Sequence, residues 1–309
     1  MHDQADYLRR LVRQDVRTRP VAPRQTPRMV AVLGGKGGVG ATSLAVNLAV
    51  ALARSGQRLA LVDADLSGAN VQALCDLRDG GALPDVLRGR RNVHECLQSG
   101  PGGIQVLPGR WAPSETAECS LESQDRLLGQ LGGLGRHLET IVLDLGSGWS
   151  PVARRFVEAA DSLLLVTSAD PVSVMDSYAA LKLITAPSAG RTVRPRWTAA
   201  TVNMTHSPAQ AREVHQRLAA CCRRFLGLRL ESGGCVPLDE SVPTAGREKT
   251  PFVLSAADSP AAQAVQRTAD LMLDVWENHK DTDADGVASD PDIPRIRKDR
   301  LNLSRSSNR

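Results

Sequence analysis

Aromatic residues are scarce, at 3% of 309 positions. Stacked rings therefore cannot fill the core, which must come from the Leu, Val, Ala and Ile that dominate an apolar share of 42%. Long apolar runs are missing as well. The longest, Leu44 to Ala53, carries Asn47 and reaches about half of the roughly 20 residues that a membrane-spanning helix needs. The opening residues Met1-His2-Asp3-Gln4-Ala5-Asp6 lack the basic-then-apolar order of a secretory leader. Charge of one sign is lacking too. A net charge of +4 marks neither a nucleic-acid binder nor an enzyme for acidic substrates. The 6 cysteines (Cys75, Cys96, Cys119, Cys221, Cys222, Cys235) form no C-x-x-C pair, and no histidine stands at zinc spacing. Reduced thiols in a cytoplasmic protein are expected, peripheral on a membrane at most.

Four regions separate by composition. Residues 3–17 read as a short amphipathic helix, with Ala5, Leu8, Leu11 and Val12 on one side and Arg9, Arg10, Arg13 and Arg17 elsewhere. Residues 18–28 hold Pro20, Pro23 and Pro27 and read as an extended linker. From 29 to 278, short and nearly continuous apolar runs (Met29–Leu33, Arg58–Val62, Ile104–Leu107, Thr140–Leu143, Ser162–Thr167, Thr198–Val202) alternate with helical stretches such as 42–55, 171–186 and 208–225. Runs of that kind suit strands covered on both faces. The alternation predicts an α/β fold with a doubly wound, mostly parallel sheet. A last helix, about 259–278, aligns Ala262, Val265, Ala269, Met272 and Trp276 to close the sheet. Residues 279–309, an acidic half followed by a basic half, are too poor in apolar groups to pack and are expected to be a disordered tail.

The strongest motif is Gly34-Gly35-Lys36-Gly37-Gly38-Val39-Gly40-Ala41-Thr42-Ser43, between a predicted strand and a predicted helix. Glycines let the backbone turn through positive φ and bring N–H groups close to phosphate oxygens. The helix that follows adds its positive end. The pattern G-x-x-x-x-G-K-[ST] fits from Gly35 to Thr42, except that Ala41 stands at the lysine position. Thr42 occupies the position of a Mg²⁺-ligating hydroxyl. Two more strands end in carboxylates, at Val62-Asp63-Ala64-Asp65 and at Leu143-Asp144-Leu145-Gly146-Ser147-Gly148. Carboxylates at the carboxyl ends of parallel strands share a rim with the phosphate loop, where one can hold Mg²⁺ or its waters and another can orient water.

At these residues the chain resembles the MinD/ParA family of deviant P-loop ATPases, whose mark is the lysine corresponding to Lys36. The likeness spans roughly 29–278. It takes in Asp63-Ala64-Asp65 through Asn70, Asp144 through Gly148, Val202-Asn203-Met204 and Val236-Pro237-Leu238-Asp239. The resemblance implies an ATP- or ADP-binding switch that uses Mg²⁺ and forms a homodimer when loaded. Residues 35–43 would cradle the phosphates. Lys36 would reach the partner's nucleotide, and Asp65 would position the hydrolytic water. Thr42, Asp63 and Asp144 would serve the metal. Asn203, Pro237 and Asp239 would flank the base. Within the family, the likeness points to the branch that governs flagellar number and placement (FlhG, also FleN or YlxH). Its D-Q-A-x-x-L-R element matches Asp3, Gln4, Ala5, Leu8 and Arg9, implying docking to an FlhF-like GTPase.

The chain departs from that family at Ala41, which removes a charge-assisted phosphate contact and leaves hydrolysis slow or dependent on the dimer. Residues 295–309 offer only Ile296, Leu301 and Leu303 for lipid, so attraction to an anionic membrane would be weak. Asp281-Thr-Asp283-Ala-Asp285-Gly286, with Asp292 later, matches the opening of a calcium loop but lacks its closing glutamate. A division-site or chromosome-positioning ATPase and a catalytically weak nucleotide-binding scaffold stay open as alternatives. An ATP-dependent amide ligase lacks an inserted catalytic constellation. An iron–sulfur reductase would need paired cysteines that this order does not supply. No sequence-specific nucleic-acid contact is expected.

Overall fold

A computed structural model describes residues 26–65, 68, 70–109, 120–186 and 195–284, the last six of these by backbone alone. The expected N-terminal helix at 3–17, with Asp3, Gln4, Ala5, Leu8 and Arg9, lies outside the described residues. So do most of the 18–28 linker and the tail from 285 onward.

Eight strands form one sheet in the order β3-β4-β2-β5-β1-β6-β7-β8. The strands are β1 Arg28–Gly34, β2 Leu59–Asp63, β3 Gln98–Ser99, β4 Gln105–Leu107, β5 Thr140–Ser147, β6 Ser162–Ser168, β7 Trp197–Thr205 and β8 Glu231–Pro237. All ladders are parallel except β3–β4 at one edge. The helices are α1 Ala41–Arg54, α2 Val71–Leu74, α3 Leu83–Leu87, α4 Val93–Cys96, α5 Leu121–Gly132, α6 Pro151–Ala159, α7 Pro171–Thr185, α8 Pro208–Leu226, α9 Ser241–Arg247, α10 Phe252–Ser255 and α11 Pro260–Ala284.

The apolar runs became strands because they can be buried twice over. Every residue of β1 and β2 is buried, as the middle of a helix-covered sheet demands. Helix α1 is apolar nearly all round, and its one buried polar side chain, Asn47, is satisfied. The Asn47 amide donates to the Ser43 carbonyl at 2.8 Å and accepts from the Val253 N–H at 3.1 Å.

Strand β8 carries no run of that kind. Its sequence ESGGCVP lies at the sheet edge, with only Gly233 and Val236 of its seven residues buried. Gly233 is required there, because a Cβ would sit 2.6 Å from the Thr201 hydroxyl and 2.8 Å from Leu164. The Gly233 carbonyl accepts from Thr201 at 3.0 Å and from Thr268 of α11 at 2.9 Å, which ties that helix to the edge.

The chain divides into two compact units, the first ending at Asp270 and the second beginning at Leu271. Within the described residues the second unit is the remainder of α11, with Met272 and Trp276 buried. The helix expected to stop at 278 continues to Ala284. Asp281 and Asp283 therefore sit in its last turn rather than in an open loop, which opposes the calcium-loop geometry at its first positions.

Candidate functional site

Strand β1 has β5 on one side and β6 on the other, so the connections leave its carboxyl end in opposite directions. A crevice opens at such a switch point. The glycine-rich segment lies there. Gly38 and Gly40 take φ of 83° and 82°, turning the chain from β1 into α1. Gly35 fits only as glycine, since a Cβ would fall 1.9 Å from the Ser177 hydroxyl and 2.6 Å from the Ser177 Cα. Ser177 in turn donates to Thr167 at 2.8 Å, and Thr167 lies 3.2 Å from Ser173, so a buried hydroxyl chain backs the loop. The loop is pinned at one end by Gly35 N–H donating to Val166 O at 2.9 Å.

Helix α1 has no side-chain cap, and its N-cap is Gly40. The other long helices α5 to α8 are each capped, by Ser120, Ser150, Asp170 and Ser207. The first-turn N–H groups of α1 have no intrahelical carbonyl to bind, and they open on the loop. Ala41 begins that turn and is buried, its methyl 3.1 Å from where a Cβ on Gly34 would lie. Val39 is buried, and its carbonyl accepts from the Asn203 amide at 2.8 Å.

Pairing of β2 with β5 sets Asp63 directly beside Asp144, and both are fully buried. Asp63 spends both oxygens on its own loop, accepting from Asp65 N–H at 3.3 Å and Val71 N–H at 3.2 Å. It therefore ties Asp65 and the start of α2 at Val71 to the end of β2. Burial pushes its carboxyl up to about 8, helped by the charges of Asp144 and Asp65 and opposed by those two N–H groups. Burial likewise raises Asp144 to about 6, opposed by hydrogen bonds from Thr42 and Gly146. Gly146 N–H reaches Asp144 Oδ1 at 3.2 Å, while Asp144 Oδ2 is buried with no partner among the described residues. A buried orphan oxygen next to the Thr42 hydroxyl is the signature of a place for a cation. No group of three or more His, Cys, Asp or Glu converges as a complete ligand set among the described residues. Asp65 is 8% exposed and lies against Gly146, whose φ of 66° marks the irregularity where β5 leaves register with β1.

Lys36 leaves the loop outward. Its ammonium lies 3.2 Å from Asp170, with both side chains more than 40% exposed. Asp170 also caps α7 through Ser173 N–H, and that bond first, then Lys36, hold its carboxyl below the usual range. The structure places Asn203 as a brace on the phosphate loop. Asp239 is a double cap, accepting from Ser241 N–H at 2.9 Å and Ala261 N–H at 3.0 Å, at the starts of α9 and α11. Pro237 ends β8 beside Thr205 of β7. Sequence reading missed Asp170, Ser177 and the Gly146 irregularity. Ser173 and Ser177, four apart at the start of a helix, were the legible sign of a polar backing.

A doubly wound sheet, an uncapped helix behind positive-φ glycines and paired strand-end aspartates define a P-loop nucleotide-binding protein. A family model described as ParA, NUBPL iron-transfer P-loop NTPase, matches residues 25–98. Antiactivator FleN of Pseudomonas aeruginosa is 34% identical over 249 residues, covering 81% of this chain and 87% of that one. Flagellum site-determining protein YlxH of Helicobacter pylori is 24% identical over 252 residues, covering 81% and 83%. The septum site-determining protein MinD of Pyrococcus horikoshii, solved with Mg-ADP, superposes with a TM-score of 0.66 at 21% identity, over 80% of this chain and 96% of that one. The chain belongs to the ParA/MinD family of P-loop NTPases. Within it, the likeness is to FleN and YlxH, the FlhG branch. Burial pushes the Cys75 thiol up to about 12 and those of Cys96 and Cys222 up to about 11.

Proposed function

We propose that this chain is a Mg·ATP-dependent, dimerising switch that sets flagellar number or placement, and that it acts on an FlhF-like GTPase through residues 3–9. The carrying observation is the uncapped start of α1 behind Gly38 and Gly40, facing the unpartnered Asp144 oxygen. Backbone N–H groups of 37–43 bind and orient phosphate oxygens. Thr42 and Asp144 hold Mg²⁺, which would supply charge neutralisation at the phosphates. Asp63 anchors Asp65 and Val71 through their N–H groups, and Asp65, beside Gly146, orients water. Lys36 swings from Asp170 toward a second copy. The names FleN and YlxH, an antiactivator and a flagellum site-determining protein, support the flagellar output. The Mg-ADP held by the Pyrococcus horikoshii MinD supports the ligand.

Calorimetric titration of the full chain with Mg·ATP and Mg·ADP tests the site. A flat titration at ligand on the order of 1 mM overturns it. Turnover of an FlhF-like GTPase, measured with the full chain and with residues 1–17 deleted, tests the output. The deletion is expected to abolish stimulation while nucleotide binding stays unchanged.

A further inference from the structure

Helix α1 begins at the phosphate loop and ends 14 residues later at Arg54, roughly 20 Å away. There a recess of about 290 Å³ opens between the end of α1, Val253 of α10 and the first turns of α11. Its lining sorts into three kinds. Val253, Ala257 and Ala262 supply an apolar floor. Gln263 and Gln266 are spent on holding the walls together. Gln263 donates to the Asp258 carbonyl at 3.1 Å, and Gln266 donates to the Ser55 hydroxyl at 3.0 Å and to Asp270 at 2.9 Å. That leaves the guanidinium groups of Arg54 and Arg267, and no carboxylate lines the recess among the described residues. Neither arginine makes an ion pair among the described residues, whereas Arg58, Arg154, Arg155, Arg217 and Arg229 each face a carboxylate. Arg54 has an internal reason to be there. It stands in the last turn of α1, where the carbonyls carry partial negative charge, and donates to the Val253 carbonyl at 2.6 Å. Arg267 has no such reason. It is exposed inside α11, and the carboxylate one turn beyond it, Asp270, is taken by Gln266. Two like charges lining one hollow without a counter-charge make its potential positive.

We infer that this recess is a binding site for a small organic phosphate, with the phosphate on Arg54 and Arg267 and the organic part against Val253, Ala257 and Ala262. Two guanidinium groups match a group of two negative charges, which a phosphate monoester carries above its second pKa of about 6. A single carboxylate would neutralise only one of them. The planar guanidinium fork suits phosphate oxygens, and with five N–H groups Arg54 can keep its bond to Val253 while it binds. The volume lies near the lower bound of small-molecule sites, roughly 300–1,000 Å³, and exceeds what a bare phosphate ion fills. The apolar floor rewards an organic body there. The recess lies at the far end of α1 from the phosphate loop, so the inference stands independently of the nucleotide reading.

The test is calorimetric titration of the full chain, preloaded with Mg·ADP, with phenyl phosphate, inorganic phosphate and phenol, at a pH above the second phosphate pKa. Phenyl phosphate is expected to saturate at a concentration on the order of 1 mM and to raise the melting temperature. Inorganic phosphate and phenol are each expected to bind at least about tenfold more weakly. Arg54→Gln/Arg267→Gln is expected to weaken phenyl phosphate binding by about tenfold or more while Mg·ADP binding stays unchanged. Ala257→Leu, which narrows the recess with its charge intact, is expected to weaken it several-fold. Arg267→Gln alone removes an exposed side chain and keeps the test valid if the double variant unfolds. Should the phosphate loop take no nucleotide, the same titrations of the free chain still read the recess through these variants. Absence of phenyl phosphate binding overturns the proposal, as does binding that both arginine variants leave unchanged. Equal affinity for inorganic phosphate also overturns it, because the floor would then take no part.

Discussion

At position 41 a methyl group begins the helix whose N–H groups face the phosphate loop, and the neighbouring hydroxyl, Thr42, is bonded to Asp144. The cradle is made of backbone, so removing one side-chain cation weakens it without dismantling it. A charge-assisted contact of the missing kind is worth about 1.5–3 kcal/mol, or about ten- to hundredfold in affinity. Ala41→Lys is therefore expected to tighten Mg·ATP binding by that factor and to raise turnover, measured by calorimetry and phosphate release. No gain in a folded variant would mean that the loop does not present this position to phosphate. The paired aspartates make a second prediction. In the folded chain Asp63 and Asp144 hold their protons up to about 8 and about 6, against 3.8 in a free side chain. The folded state thus binds more protons than the unfolded state between about pH 4 and pH 8, and stability falls as pH rises through that window. The melting temperature of the nucleotide-free chain is expected to drop from about pH 5 to about pH 8. The slope should shrink in Asp63→Asn and on adding Mg·ADP. A flat or rising profile contradicts the burial argument.

Among the elements, Asp239 separates two roles that the sequence could not. The resemblance puts it beside the base, and the structure adds that its two oxygens accept from N–H groups at the starts of α9 and α11. Although its partial burial acts against ionisation, the Ala261 and Ser241 N–H groups and the hydroxyls of Ser241 and Ser259 hold it below the usual range. Loss of one N-cap costs about 1 kcal/mol, so Asp239→Ala is expected to cost about 2 kcal/mol in denaturant melts. If Mg·ATP affinity falls far more than stability does, the base-contact role is the larger one. The strands and long helices were legible because continuous apolar runs and their spacing reflect burial on two faces. Strand β8 was not, because an edge strand needs little apolar content and the close packing at Gly233 demands glycine. The phosphate loop and its aspartates were legible as local words. The bracing of Val39 by Asn203, the hydroxyl chain behind Gly35 and the Lys36–Asp170 pair were not, because each joins segments more than a hundred residues apart or depends on how α7 packs on the loop.

For the molecule as a whole, the phosphate-loop rim carries Lys36 in a contact that is cheap to break. The pair with Asp170 is exposed on both sides, and such pairs contribute about 1 kcal/mol or less. A lysine held this loosely can exchange an internal carboxylate for a nucleotide phosphate on a second copy, where a drier interface strengthens the charge contact. The surrounding surface fits an association of that kind, since Val172 and Met175 of α7 and Trp149 after β5 are 51%, 72% and 43% exposed. Light scattering after size exclusion is expected to show one copy with Mg·ADP and two with Mg²⁺ and a non-hydrolysable ATP analogue. Lys36→Ala is expected to stay monomeric with the analogue. Asp170→Ala, which frees the lysine but also removes a helix cap, is expected to shift the equilibrium toward the dimer by up to about fivefold. A dimer that persists in Lys36→Ala, or that forms equally with Mg·ADP, would show that the copies associate without reading the third phosphate, and the chain would then lack the two distinguishable states that a switch requires.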